Sequence, residues 1–224
     1  MTHNDSFRSV CEEGDVDVAK AMVERTQVDL ETRSDVGMTP LSWAAEKGHL
    51  SVVQYLCEQG ADKEARDEDD WTPLHRAAEK GLLPVVQYLC EQGADKEARG
   101  DDGRTPLNAA AQYCHLPVVQ YLCEQGADKE ARSTSGMAPL HWAAWNGHLP
   151  VVQYLCEQGA DKEARDLGDW TPLLWAAIYG HFPVVQYLCE QGADKEARSN
   201  NGQTPLLWAA ENGHLPVVQY LESL

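Results

Sequence analysis

Positive charge is what this chain has least of. Across 224 residues, 18 Lys and Arg stand against 36 Asp and Glu, a formal net charge of −18. The basic residues form no stripe, and binding nucleic-acid phosphates or anionic headgroups takes clustered Lys and Arg that replace condensed counterions. Nucleic acid and membranes are therefore disfavoured as partners. Long hydrophobic runs are missing too: no stretch approaches the ~18 apolar residues of a membrane span. The opening MTHNDSFRSVCEEGD has no charged-then-apolar leader, so a soluble, unprocessed chain is expected. The short motifs that carry chemistry are also absent, with no phosphate loop, nucleophile elbow, HExxH or CxxC. No enzyme, catalytic residue or cofactor is expected.

What is present is repetition. The fifteen residues VVQYLCEQGADKEAR occur five times unchanged, at 52–66, 85–99, 118–132, 151–165 and 184–198. The step is always 33 residues, with an 18-residue variable stretch between copies. Such an array grows linearly, each unit burying its face against its neighbours. All seven Trp (43, 71, 142, 145, 170, 175, 208) lie in the variable stretches and none in the frame. Function is expected in those stretches.

The unit at 133–165 shows the local logic. STSG is turn chemistry, with Gly136 free to take a positive φ. Ala138-Pro139 opens a first helix, because Pro suits a first turn whose N–H needs no partner, and Asn146-Gly147 closes it with a left-handed cap. His148-Leu149-Pro150 opens a second helix, on which Val151, Val152, Leu155 and Cys156 form an apolar stripe of helical period. Gly159 ends it. The pattern TPLxxAAxxGHLxVVxxLxxxGADxxA resembles the ankyrin repeat, which has a 33-residue period and a T-P-L-H-x-A signature. Six Thr-Pro-Leu steps carry the resemblance, at 39–41, 72–74, 105–107, 171–173, 204–206 and, as Ala138-Pro139-Leu140, 138–140.

The resemblance implies an all-α fold: a solenoid of stacked helix-turn-helix units joined by β-turn or hairpin loops, as a single domain over 1–224. A degenerate capping unit at 1–33, with one extra loop residue near Thr26-Gln27, precedes full repeats at 34–66, 67–99, 100–132, 133–165 and 166–198. A truncated repeat at 199–224 closes the array. In this family the His of the signature, similar to His75 and His141, hydrogen-bonds the connecting backbone. Ser42, Asn108, Leu174 and Leu207 replace it elsewhere, which puts that bond in doubt for the last two units. The charged GADKEA also departs from the family's usual apolar residue and Asn.

Five of the seven Cys (57, 90, 123, 156, 189) share one repeat position. Stacked helices lie roughly 10 Å apart, too far for a disulfide or a shared zinc site. They read as small buried hydrophobes of a reducing, cytoplasmic protein. Cys114 differs, replacing a turn Gly. His49, His115, His148, His181 and His214 form another ladder, one per unit, so no metal site is expected.

Binding residues are expected at the turn tips before Thr-Pro-Leu (Met38, Trp71, Arg104, Met137, Trp170, Gln203) and on the outer face of the first helices. There the residue two after Leu and those three and four further on share one side. The first half of this surface is acidic and mixed, including Glu68, Asp69, Asp70, Arg76, Glu79, Asp101 and Asp102. The later units are aromatic. The candidate contact residues are Trp71, Arg76, Tyr113, Met137, Trp142, Trp145, Trp170, Trp175, Ile178, Tyr179 and Trp208. Trp43, Trp142, Trp175 and Trp208 share a position often Leu in the family, so packing and ligand contact stay open for them. Trp145, Ile178 and Tyr179 stand where other units carry Glu, Lys, Gln or Asn, which favours contact. The leading expectation is a monomeric protein-binding module whose concave groove takes a partner bearing basic residues, steered by the acidic half. One alternative is a small, perhaps cationic, ligand held in an aromatic pocket. Another is an array with no ligand, the product of recent duplication or consensus-style design.

Overall fold

The computed structural model describes residues 3–26 and 28–224. The extra loop residue expected near Thr26-Gln27 falls at Gln27, outside the described residues. Among the described residues there are fourteen α-helices and no strand, grouped into two compact units, Met1–Pro106 and Leu107–Leu224.

The first unit contains α1 (His3–Glu13), α2 (Val16–Arg25), α3 (Pro40–Lys47), α4 (Leu50–Glu58), α5 (Pro73–Glu79) and α6 (Leu83–Glu91). α1, α3 and α5 pack side by side in one row, and α2, α4 and α6 in another. After α7 (Pro106–Gln112), which begins at the boundary, the second unit contains α8 (Leu116–Glu124), α9 (Pro139–Trp145), α10 (Leu149–Glu157), α11 (Pro172–Ile178), α12 (Phe182–Glu190), α13 (Pro205–Glu211) and α14 (Leu215–Glu222). Here α9, α11 and α13 form one row, and α8, α10, α12 and α14 the other.

Pro in the first turn starts most of these helices, and the Thr before it caps the helix, as Thr39 does for the Ser42 amide (3.2 Å) and Thr171 for the Leu174 amide (3.3 Å). Ala138 has no side-chain acceptor to offer α9. There the His141 ring turns back and accepts from the Ala138 amide at 3.2 Å. The first helices approach closely because their inward faces carry Ala pairs, such as 44/45, 77/78, 143/144 and 176/177, all buried. The second helices bury the frame's Val-Val-Leu, each side chain contributing about 1.5–3 kcal/mol of transfer free energy.

Two ladders tie neighbouring repeats together. In the first, the frame Arg bridges turns: Arg66 Nη1 donates to the Asp70 carbonyl (3.2 Å) and to the Arg99 carbonyl one repeat on (2.6 Å), and Arg165 does the same to Asp169 (3.1 Å) and Arg198 (2.9 Å). The frame Glu joins in, Glu64 accepting from the Asp95 amide and Glu163 from the Asp194 amide, both at 2.9 Å. The charged GADKEA is thus a backbone-satisfying connector, a role the sequence pattern did not disclose.

The second ladder is the histidine row. Nε2–H of His49, His148, His181 and His214 donates to the carbonyls of Glu12, Gln112, Trp145 and Ile178 at 2.8–2.9 Å. A carbonyl can only accept, which fixes the tautomer. The ring lies so close that a Cβ on Gly147 would meet His181 Nδ1 at 2.5 Å, and one on Gly180 would meet His214 Nδ1 at 2.4 Å. Cys114 holds the same cap with a side chain, at φ +64, and is exposed. The frame Cys are half-buried rather than fully buried, since each sits on the flank of its second helix. Burial still pushes the Cys90, Cys123, Cys156 and Cys189 thiols up to about 11.

His75 and His141 are fully buried and do hydrogen-bond connecting backbone. His75 Nδ1 accepts from the Thr72 amide (3.2 Å) while Nε2–H donates to the Arg104 carbonyl (3.1 Å), and His141 Nε2–H reaches the Ala164 (3.0 Å) and Trp170 (3.2 Å) carbonyls. Leu174 fills the same position with a fully buried side chain. Desolvation pulls the His75 pKa down to about 4 from 6.5.

Two predictions follow from these positions. The unfolded chain takes up a proton at His75 near pH 6.5 and the folded chain only near 4. Stability from this group is therefore present above pH 6.5 and is lost as pH falls toward 4, by up to about 3 kcal/mol. His75→Leu, which copies the residue at position 174, is expected to flatten that acid loss when melting temperatures are compared across the window. An unchanged acid slope would refute the assignment. Cys114→Gly removes a left-handed non-glycine residue and is expected to raise stability by roughly 1 kcal/mol, read as a higher urea midpoint.

Candidate functional site

The repeats at 67–99 and 166–198 each open on an aspartate that governs the turn. Asp67 Oδ1 accepts from the amides of Asp69 (3.0 Å) and Trp71 (2.9 Å), and Asp166 Oδ1 from those of Gly168 (2.7 Å) and Trp170 (3.0 Å). The backbone returns the contact, Asp67 N donating to the Trp71 carbonyl and Asp166 N to that of Trp170, both at 3.1 Å. This closure tucks the residue before Thr-Pro-Leu inward. Met38, Trp71 and Met137, expected at turn tips, are buried, Trp71 to 3% and Met137 to 2% exposure. Those two candidate contacts brace their turns and offer almost no surface. The actual tips lie earlier, at Asp69-Asp70 and at Leu167-Gly168-Asp169. Asp70 and Asp169 are left-handed there, and Leu167 is 80% exposed.

The opening residue also reaches the first helix. Asp67 Oδ2 accepts from Arg76 Nε at 2.7 Å, Asp166 Oδ2 from Trp175 Nε1 at 3.0 Å, and Ser199 Oγ from Trp208 Nε1 at 3.4 Å. At Trp175 and Trp208 the shared Trp position is therefore half-buried and tethered, neither free nor in the core.

In the second unit these side chains join into one aromatic row. Trp142 stacks on Trp145 (5.3 Å between ring centroids), Trp145 on Trp175 (5.0 Å) and on Tyr179 (6.0 Å), Trp175 on Trp170 (4.6 Å), and Trp170 meets Trp208 (4.9 Å). Offset stacks of this kind contribute about 0.5–1.5 kcal/mol each beyond area. An open groove of about 570 Å³ runs beside the row. Trp142, Trp145, Trp170 and Trp175 line it, with Met137 beneath and Asp166 and Leu167 at its edge. Tyr179 keeps 46% of its surface. Ile178 is half-buried at the end of α11, where its carbonyl receives His214. Tyr113 follows α7 and is 45% exposed.

The candidate residues of the first unit are organised differently. Trp71 lies between two guanidinium groups, Arg76 at 4.8 Å and Arg104 at 5.0 Å from its ring. Arg76 is held by Asp67 (2.6 Å), Asp69 (2.8 Å) and Glu79 (3.8 Å), and Arg104 pairs with Asp102. Desolvation lowers the Arg76 pKa, but the Asp67 and Asp69 hydrogen bonds outweigh it and hold the value above the ordinary one. A cavity of about 170 Å³ opens here among carboxylates. Among the described residues no group of three or more His, Cys, Asp or Glu could hold a metal ion, and no helix is long and apolar enough to cross a membrane.

A family model for ankyrin repeats matches in three copies, over residues 7–100, 96–166 and 165–223. The chain belongs to the ankyrin-repeat family. Its backbone is similar to the crystal structure of the ankyrin repeat domain of Bcl-3, a member of the IkappaB protein family. The TM-score is 0.80 and the identity 30%, with 96% of this chain and 97% of that one covered. Two curated proteins share shorter stretches. Alpha-latrocrustotoxin-Lt1a of Latrodectus tredecimguttatus is 43% identical over 49 residues, which are 22% of this chain. The E3 ubiquitin-protein ligase Ufd4 of Drosophila melanogaster is 42% identical over 48 residues, which are 21% of this chain. These stretches span only 4% and 2% of those proteins' own lengths. Ankyrin repeats are a general protein–protein interaction module, and this chain carries that scaffold in both units.

Rings stacked at about 5 Å couple their electronic transitions. Wild type is expected to show an exciton couplet in its ultraviolet circular dichroism. Trp145→Ala, which removes the ring shared by three of these contacts, should weaken the couplet without loss of helical signal, leaving the Trp175–Trp170 and Trp170–Trp208 pairs to supply the remainder. A couplet of unchanged amplitude would place the coupling outside the contacts of Trp145.

Proposed function

We propose that the chain is a monomeric, non-enzymatic, cytoplasmic binding module that takes a partner protein along the aromatic groove of its second unit. The observation that supports this most is the Trp142–Trp145–Trp175–Trp170–Trp208 row with Tyr179. These side chains are only half-buried or exposed, and are already locked in place by stacking and by the Asp166 and Ser199 hydrogen bonds. Aromatic anchors bury large area, and a fixed rotamer loses little entropy on binding. Tyr113 and Ile178 extend the apolar surface at the C-terminal ends of α7 and α11.

The net charge of −18 favours a partner with basic residues, chiefly by speeding encounter. The Arg76 and Arg104 network of the first unit is saturated by its own carboxylates, which suits a steering surface more than an anchor. A small cationic ligand is the second reading, since about 570 Å³ lies within the range of ligand pockets. The open side of the groove fits an extended polypeptide better. The concentration of six aromatic side chains on one face argues against an array without a ligand.

The test is selection of a random peptide display library on the immobilised chain. Peptides are expected to enrich and to lose at least about tenfold in affinity for the Trp145→Ala/Tyr179→Ala variant, the loss of two interface anchors. No enrichment, or equal binding to the double variant, would sink the proposal.

A further inference from the structure

The two units solve the same local problem with different side chains, and the comparison points to what the groove binds. In the repeat at 67–99, the turn aspartate Asp67 and the ring of Trp71 together hold an arginine. The Arg76 guanidinium lies 4.8 Å from the ring and 2.6 Å from the Asp67 carboxylate. The repeat at 166–198 keeps both members at the same positions, Asp166 and Trp170, and supplies no arginine. Trp175 occupies the place of Arg76, Gly168 that of Asp69, and Ile178 that of Glu79.

Asp166 is left with three dipoles and no cation. Its oxygens accept from the Gly168 and Trp170 amides and from the Trp175 indole, and among the described residues it makes no ion pair. The nearest frame cation in sequence, Arg165, is committed to the Asp169 and Arg198 carbonyls. Asp166 is also the one charged side chain lining the groove, against walls of Trp142, Trp145, Trp170 and Trp175. A carboxylate at the edge of an aromatic slot matches a planar cation that stacks through its face and pairs through its edge. Guanidinium does both, and is more weakly hydrated than an ammonium, so it sheds water into an apolar slot more readily.

We propose that the groove is a socket for an arginine side chain of the partner protein, stacked on the tryptophan walls and paired with Asp166. This rests on the binding-module reading above and deepens it by naming the anchor. The chain's own Arg76 is the template for the contact, and the acidic surface favours arginine-bearing segments over acidic ones.

The probes are three acetylated, amidated pentapeptides, GARAG, its lysine twin GAKAG, and the same peptide with neutral citrulline in place of arginine. Each is titrated into the full chain while the indole N–H signals are followed by NMR. The arginine peptide is expected to shift the Trp175 signal saturably. The lysine twin should bind about tenfold more weakly, because it cannot stack and pair at once, and the citrulline peptide should bind no better than lysine. Asp166→Ser should weaken arginine binding by about tenfold. That variant copies Ser133 and Ser199, which hold the same turn position in neighbouring repeats, and Asp166→Asn serves as a second charge-removing change.

Absence of a saturable shift with wild type, equal binding of citrulline, or unchanged affinity in both Asp166 variants would overturn the proposal. If library peptides bind through Trp145 and Tyr179 while the arginine peptide does not, the arginine assignment falls and the binding-module reading stands. If neither binds, both fall.

Discussion

Close approach between the first helices of neighbouring repeats is the constraint on which the rest of each unit depends. Ala pairs such as 143/144 and 176/177 are buried to nothing, which lets α9 and α11 lie with their backbones near contact. At that separation the helix-ending glycine of one repeat sits under the histidine ring of the next, and Trp145 and Ile178 present their last carbonyls to His181 and His214. The unsatisfied end of one helix is thereby capped by its neighbour's side chain, a partner that exists only in the stacked state. Helices of seven residues would be marginal alone; here α9 and α11 are each completed by the next repeat.

The same closeness creates the aromatic row. Different positions of adjacent repeats are brought within stacking distance, Trp145 meeting Trp175 and Trp170 meeting Trp208, and the Trp142–Trp145 and Trp175–Trp170 pairs within each repeat join these contacts into one row. A substitution at one first-helix position, Arg76 in one repeat and Trp175 in another, then changes the chemistry of the whole face. Asp67 with Arg76 gives a self-neutralised network around a buried Trp71. Asp166 with Trp175 gives an aromatic wall with a spare negative charge. One backbone thus yields a closed polar knot in one repeat and an open apolar groove in another.

The period, the helix starts at Pro40, Pro73, Pro139, Pro172 and Pro205, and the glycine stops were all legible in the residues, because local backbone chemistry determines them. The shared position of Trp142, Trp175 and Trp208 was legible too. That Trp145 would stack on Trp175 was not, since it depends on rotamers set one repeat away. The burial of Trp71 and Met137 was not legible, because turn closure by Asp67 and Ser133 tucks inward a residue that simple counting places at the tip. A signal was available in the recurrence of Asp or Ser at 34, 67, 133, 166 and 199 beside apolar Met38, Trp71, Met137 and Trp170. The connector role of Glu64, Arg66, Glu163 and Arg165 was hidden for a different reason: exposed charges in a loop look like solvation until their backbone partners are known.

Within each unit the frame's ladders join identical residues of adjacent copies: Arg66 reaches Arg99 and Arg165 reaches Arg198, while Glu64 and Glu163 take the next Asp. The 66/99 and 165/198 seams are therefore chemically the same seam. Deleting or duplicating 33 residues within a run of copies leaves every connector with an identical new neighbour. Unequal recombination can lengthen or shorten the array and carry a whole variable stretch, Asp166 and its tryptophans included, to a new neighbourhood without disturbing the joints. The invariant part of this sequence is what makes the varied part portable.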